Sequence, residues 1–374
     1  MYIHVPFCKQ ACNYCNFHFS TSLANKGALL VALATEIVMR ESEWGNKPLQ
    51  TVYLGGGTPS LLSADELNRL FAVISKHYTI AADAEITLEA NPDDLTPAYL
   101  AGLKHTPVNR LSIGVQSFHD HDLAYMHRAH NAREAEAAIG SALDAGFHNL
   151  SLDLIYGAPT TTDADWETNL TKAAAFSVAH LSCYALTVEP RTALAHHIAK
   201  GKTVPPDDTR TAAQWEMLQD FAPTAGFEQY EISNFARRGA YARHNTAYWQ
   251  GAPYLGIGPS AHSFDGAKVR GWNVANNAAY IRSIAEGVLP HETEQLTDRD
   301  RYNEYVMTSL RTVWGIDIEK VERDFGNAAH RHLLEKATSY IHNAQIENHA
   351  AHLCLTRAGK LFADGIAADF FLPL

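Results

Sequence analysis

Tyr2-Ile3-His4-Val5-Pro6-Phe7-Cys8-Lys9-Gln10-Ala11-Cys12-Asn13-Tyr14-Cys15 decides how the rest of the chain is read. A short apolar, β-branched run feeds a loop that carries three thiols in a CxxxCxxC spacing. The chain has five cysteines, and the other two, Cys183 and Cys354, lie far away. An odd number so distributed is a poor disulfide framework. A structural zinc site is closed by four ligands, and no CxxC or HxxxH pair stands ready as the other half. His4 or His18 could complete one, so a zinc site and a chance cluster of thiols stay as alternatives. Three thiolates on one loop suit an iron–sulfur cube better: three irons are held and the fourth is left open to a substrate.

Working outward, the pattern is alternating strand and helix. Apolar runs recur at 1–5, 51–55, 85–90, 110–115, 150–156 and 180–186, with helical periodicity between them at 23–43, 63–77, 132–145 and 164–176. Ser63 ahead of Ala64-Asp65-Glu66 reads as a capping box. Such alternation predicts a parallel α/β sheet with right-handed crossovers, either open and doubly wound or barrel-like. Nearly every predicted strand ends in unusual chemistry: the cysteine loop, Gly55-Gly56-Gly57-Thr58-Pro59, Glu89-Ala90-Asn91-Pro92, Gln116-Ser117, Asp153 and Glu189-Pro190. An open sheet uses mainly its switch point, whereas a curved sheet brings all its C-terminal edges around one cavity. A partial (β/α)6 barrel is therefore expected. Helical periodicity returns at 298–312, 317–325 and 327–341, and Leu353-Cys354-Leu355-Thr356 reads as a last strand. The expected division is a barrel with its cysteine loop over 1–200, an extension over 201–285, and a small, mainly helical C-terminal domain over 286–374.

Composition removes other classes. At 374 residues, 46% hydrophobic and 19% charged, the chain can bury a large core. Its formal charge of −11, without a basic stripe, argues against nucleic acid as partner. No run of 18 apolar residues is present, and the first residues lack a basic region followed by a long apolar stretch, so a cytoplasmic protein with no transmembrane segment and no signal peptide is expected.

Single residues carry two readings each. The triple glycine lets the backbone approach a ligand closely, or is a tight turn. Glu89 and Asp153 close apolar strands, where an uncompensated carboxylate is costly. They either cap a helix or form a salt bridge, or they accept hydrogen bonds from a bound ligand. Arg128 either holds a carboxylate or is a solvated charge. Cys183 and Cys354 read as small buried hydrophobes. His244, followed by Tyr248 and Trp249, is either a satisfied turn residue or an axial imidazole beside aromatic walls, with His262 in Gly258-Pro259-Ser260-Ala261-His262-Ser263 as its nearest competitor.

The cysteine spacing resembles that of the radical S-adenosylmethionine enzymes. The strings Tyr2–Cys8, Gly56–Ser60, Ser112-Ile113-Gly114-Val115-Gln116-Ser117-Phe118, Asp153–Gly157 and Tyr230–Phe235 resemble one branch of that family, which contains oxygen-independent coproporphyrinogen III oxidase (HemN) and haem chaperones of the HemW type. The likeness runs in order from residue 1 to about 265, and the tail resembles that branch's small C-terminal domain. Two features separate the relatives. The oxidase has a further cysteine where this chain has Phe17, and an N-terminal extension not seen here. His244-Asn245-Thr246-Ala247-Tyr248-Trp249 matches the HNxxYW signature of the chaperones.

The resemblance implies that Cys8, Cys12 and Cys15 ligate a [4Fe–4S] cluster. It implies that Tyr2, Tyr14, Gly56, Gly57, Thr58, Glu89, Gln116, Arg128 and Asp153 contact S-adenosylmethionine, and that His244 takes part in haem binding. The function so implied is delivery of haem to haem-requiring proteins such as respiratory oxidases, with homodimerisation and peripheral membrane contact as further expectations. The alternative is radical decarboxylation of coproporphyrinogen III.

Overall fold

The structure, a computed structural model, describes residues 1–373. Six strands follow one another in the chain and in space: β1 (Tyr2–Val5), β2 (Leu49–Gly56), β3 (Ile80–Ala90), β4 (Arg110–Gln116), β5 (Leu150–Tyr156) and β6 (His180–Ala185). Each pairs in parallel with the next. Antiparallel β7 (Glu228–Glu231) and β8 (Asn234–Ala236) extend the β6 edge, and β9 (Gly256–Ile257) lies parallel on β1. The sheet order is β7-β8-β6-β5-β4-β3-β2-β1-β9, so the six-stranded parallel unit is flanked rather than closed. This is the expected α/β architecture, a partial (β/α)6 barrel.

Alternation along the strands sorts the two faces. Ile3, Val5, Val52, Leu54, Leu88 and Leu152 are buried in the main core. That core takes in the apolar faces of the helices Lys26–Met39, Ala64–His77, Ala132–Asp144 and Asp163–Ala175. Leu67, Leu70, Phe71 and Ile74 show the spacing that makes the second of these amphipathic. Its start is the expected capping box: Ser63 Oγ accepts from the Glu66 N–H at 3.2 Å and Glu66 accepts from the Ser63 N–H at 2.8 Å. Truncating Leu54, which is fully buried, to alanine would cost about 2–5 kcal/mol. The opposite face of the sheet is polar. Tyr53 bonds Glu89, Ser112 bonds Asp153, and Ser151 bonds His180 and Ser182, each across neighbouring strands.

The periodic stretch 23–43 breaks at Arg40 into the helices Lys26–Met39 and Glu41–Trp44. A buried polar knot explains the break. Arg40 donates to the Gly256 carbonyl at 2.8 Å and faces Glu36, which accepts from Tyr280 Oη at 2.6 Å, Asn273 Nδ2 at 2.7 Å and the Gly258 N–H at 2.7 Å. This knot fastens the glycine-rich loop after β9 to the first long helix. Arg40 also pairs with Glu43 at 2.7 Å, so removing Glu36 alone would leave the Tyr280, Asn273 and Gly258 donors without their buried acceptor, at about 1–3 kcal/mol each.

Two small antiparallel sheets follow: β10 (His262–Phe264), β11 (Val269–Asn273) and β12 (His291–Gln295), then β13 (Ile316–Asp317), β14 (Ile346–His349) and β15 (His352–Leu355). The C-terminal part has its own core, with Tyr302, Val306, Leu333, Leu353 and Phe370 at its centre. Where a single last strand was expected, β15 is the middle of three. The predicted helix pair 317–325 and 327–341 is continuous except at Gly326, whose φ of 83° breaks it at that residue. Cys183 is buried as expected, whereas Cys354 is only half-buried.

Candidate functional site

The cysteine loop leaves the C-terminal end of β1 and is tied down on both sides. The Cys8 N–H donates to the Ser20 carbonyl at 3.0 Å, and the Gly57 and Thr58 N–H groups donate to the Val5 and Phe7 carbonyls at 3.0 and 2.6 Å. Asn13 Nδ2 donates to the Tyr125 carbonyl at 2.5 Å, and Gln10 Nε2 to that of His127 at 2.9 Å. Close packing requires the glycines at the end of β2. A Cβ on Gly56, at φ 108°, would sit 2.5 Å from the His4 ring, and one on Gly57 would sit 2.6 Å from the Phe7 carbonyl oxygen.

Above these ends lies a cavity of about 910 Å³, lined by Cys8, Cys12 and Cys15. Tyr14, Gly56, Gly57 and Thr58 line it as well, together with Glu89, Gln116, Arg128 and Asp153. Thus the ends of β1, β2, β3, β4 and β5 all meet there. Burial pushes the Cys8 thiol up to about 11 and that of Cys15 up as well. Arg128 reaches across the cavity floor: Nη1 lies 3.2 Å from Cys12 Sγ and 3.4 Å from Tyr14 Oη, while Nη2 donates to Asn91 Oδ1 at 2.7 Å and the Gly114 carbonyl at 2.9 Å. Its Nε is buried without a partner among the described residues.

The two carboxylates are the most perturbed acids of the cavity. Burial lifts Glu89 to about 7; Tyr53 Oη, at 2.7 Å, and the Gly56 N–H, at 3.0 Å, offset this in part, and the charge of Asp153 adds to it. Burial lifts Asp153 to about 6, with Ser112 Oγ donating at 3.1 Å. Neither caps a helix, and neither has a cationic partner within salt-bridge distance among the described residues. Gln116 sits at φ 64°, a strained backbone for a non-glycine residue. Buried acids poised for a cation or a hydroxyl, a guanidinium with a spare donor, and three thiols on a glycine-backed loop fit a metal cluster with an amino-acid-bearing ligand.

Two expected residues lie elsewhere. Tyr2 opens β1, at the strand end remote from the cysteines, and lines a second cavity. Its hydroxyl meets His4 Nδ1 at 3.0 Å. His244 lines neither cavity. It is 3% exposed, with Nδ1 2.7 Å from Thr51 Oγ1 and Nε2 3.1 Å from Tyr248 Oη, and its ring stacks on Tyr53 at 4.9 Å. With both ring nitrogens engaged, it presents no lone pair to an iron in this arrangement. Burial also holds it well below the usual histidine pKa.

Sequence reasoning missed Asn91 and Ser112 as direct partners of Arg128 and Asp153, although both lie inside the strand-end motifs. It also missed Arg311, Lys360 and Phe362, through which the C-terminal part closes one side of the cavity. No local signal marks those three, because they reach the cavity only through tertiary packing.

Residues 2–173 match the family described as the Radical SAM superfamily, and residues 296–362 match the HemN C-terminal domain. The chain is 36% identical over 371 residues to the haem chaperone HemW of Mycobacterium tuberculosis, spanning 98% of this chain and 93% of that protein. It is 33% identical over 372 residues to HemW of Bacillus subtilis, spanning 99% and 98%. Among solved structures it resembles the radical SAM coproporphyrinogen III oxidase HemN of Escherichia coli, with a TM-score of 0.85 and 23% identity over 100% of this chain and 90% of that one.

Proposed function

The chain belongs to the HemW family of haem chaperones within the radical S-adenosylmethionine superfamily, and from that premise we propose that it binds a [4Fe–4S] cluster, S-adenosylmethionine and haem, and delivers haem to haem-requiring proteins. The observation that supports this reading best is the meeting of the strand-end residues on one cavity with the three cysteines.

In this reading Cys8, Cys12 and Cys15 would hold the cluster, and the cavity beside it would take S-adenosylmethionine. The cluster, when bound, supplies an electron to the sulfonium. The protein's own groups hold the ligand. Glu89 and Asp153 accept from its ammonium or ribose hydroxyls, and Arg128 places positive charge beside Cys12 and the ligand carboxylate. Gly56 and Gly57 keep the wall free of side chains, and Thr58, Tyr14 and Gln116 complete it. The raised thiols must lose protons to bind iron, so loading releases protons.

The acceptors are haem proteins such as respiratory oxidases, reached in the cytoplasm or at the membrane face by a chain that acts as a homodimer. No helix among the described residues is long and apolar enough to cross a membrane. The functional parts remain 1–200 for the cluster, 201–285 for the HNxxYW motif and 286–374 for the C-terminal domain.

Iron and acid-labile sulfide after anaerobic reconstitution, followed by titration with S-adenosylmethionine and haem, test this reading. About four irons and matching sulfide per chain are expected. A single zinc with no sulfide would remove the cluster, and with it the cofactor assignment.

A further inference from the structure

A second cavity, of about 640 Å³, lies between the helix Arg243–Trp249, the β10-β11 ribbon and the helix Asp298–Leu310, and shares no lining residue with the first. Its volume is in the range of small-molecule sites, which run to about 300–1,000 Å³. We propose that this cavity is where the chain seats haem, with the His262 imidazole as axial ligand to the iron, a placement that rests on the haem-binding reading above.

Four observations carry it. First, the walls are aromatic. Tyr248, Trp249, Tyr254, Phe264 and Tyr305 line the space, with Tyr248 edge-on to Tyr254 at 4.5 Å. A large planar ring system with apolar faces finds its contacts on such walls. Second, Arg270, Arg301 and Lys320 stand on the same cavity, as carboxylate side arms require. Each is at present held by an acid, namely Glu304 at 2.5 Å, Asp298 at 3.1 Å and Asp324 at 2.6 Å. Haem propionates would have to share or exchange those partners, whereas an uncharged flat ligand would leave them alone.

Third, His262 is the imidazole that is open. It stands at the start of β10 with an exposed side chain, and neither ring nitrogen has a hydrogen-bond partner among the described residues. By contrast, His352, on the same cavity, is turned to the Ala350 carbonyl at 3.1 Å. The loop that presents His262 is anchored by the Glu36 knot and by Ser263 Oγ, which accepts from the Gly256 N–H at 2.9 Å. Fourth, the cysteine-lined cavity already has two occupants in the reading above, so a third, larger one needs a place of its own. The HNxxYW motif then acts from behind: His244 holds the Tyr248 hydroxyl, and Tyr248 and Trp249 face the ligand. His244 is a positioning residue.

The test is an anaerobic haem titration of the full-length, cluster-loaded protein as wild type, His262→Ala and Thr308→Trp. Thr308 lines the cavity from the helix Asp298–Leu310, and the tryptophan is placed to fill the space there. Iron and sulfide content serve as the folding control. His262→Ala should move the Soret band and weaken binding by about tenfold or more, and free imidazole should restore the band. Thr308→Trp should abolish haem binding while the cluster load stays normal. If wild type binds haem and both variants match it in spectrum and affinity, the placement is overturned while the haem-binding reading stands. If wild type binds no haem, both fall together.

Discussion

His244 Nε2 lies 3.1 Å from the hydroxyl of Tyr248, four residues on in the same short helix. That contact, with the one from Nδ1 to Thr51, makes the motif's histidine part of the barrel floor. Replacing it with alanine leaves the Thr51 and Tyr248 hydroxyls short of a partner, at about 1–3 kcal/mol. The expected outcome is a lower melting temperature with the Soret position of bound haem unchanged. A shifted Soret band in His244→Ala, with the fold intact, would return the axial role to this residue.

Replacing Cys8, Cys12 or Cys15 with alanine should abolish the cluster, whereas Cys183→Ala and Cys354→Ala should leave it in place. Only the first three line the cavity. Iron quantification on each reconstituted variant decides; a normal load in Cys12→Ala would contradict the ligand set.

Affinity for S-adenosylmethionine should depend on pH. Glu89 and Asp153 are raised to about 7 and about 6, so the empty fold favours their protonated forms. The stability they contribute is present in acid and is lost as pH rises through those values. A bound ammonium or hydroxyl donor compensates the ionised forms. Binding should therefore tighten between about pH 5.5 and about pH 8, and Glu89→Gln should flatten much of that slope while weakening binding. Calorimetry at both pH values measures it, and a flat wild-type profile would contradict this role for the acids.

Phe17 stands where the oxidase branch carries a further cysteine, and it is 67% exposed. We expect no sustained formation of protoporphyrinogen from coproporphyrinogen III with a full cluster, reductant and S-adenosylmethionine. Chromatography of the anaerobic reaction would show the product if this is mistaken.

The strands and the cysteine loop were legible because each rests on local chemistry: β-branched runs, caps such as Ser63–Glu66, and three thiols within one turn-rich segment. The ring of residues at the strand ends was legible for a topological reason, since successive parallel strands must deliver their C-terminal ends to the same side. Tyr2 lines the second cavity instead of the first, because a motif of contiguous residues does not say which end of its strand a side chain stands at. His244 and Tyr248 are spaced i, i+4, which puts them on one helix face and fits an internal pair as well as a ligand beside an aromatic wall. The cavity that holds His262 could not be read at all. Its walls come mainly from 248–272 and 296–325, with Tyr2 and His352 added from elsewhere, and nothing local in these segments says that they meet.

The central claim is that cluster with S-adenosylmethionine and haem occupy separate cavities of one chain. The most direct measurement is haem affinity of the reconstituted protein, followed by the Soret band, with and without saturating S-adenosylmethionine. Separate sites predict that both bind together and that the cofactor does not displace haem. Stoichiometric displacement of haem by S-adenosylmethionine would place both in the cysteine-lined cavity and contradict the account.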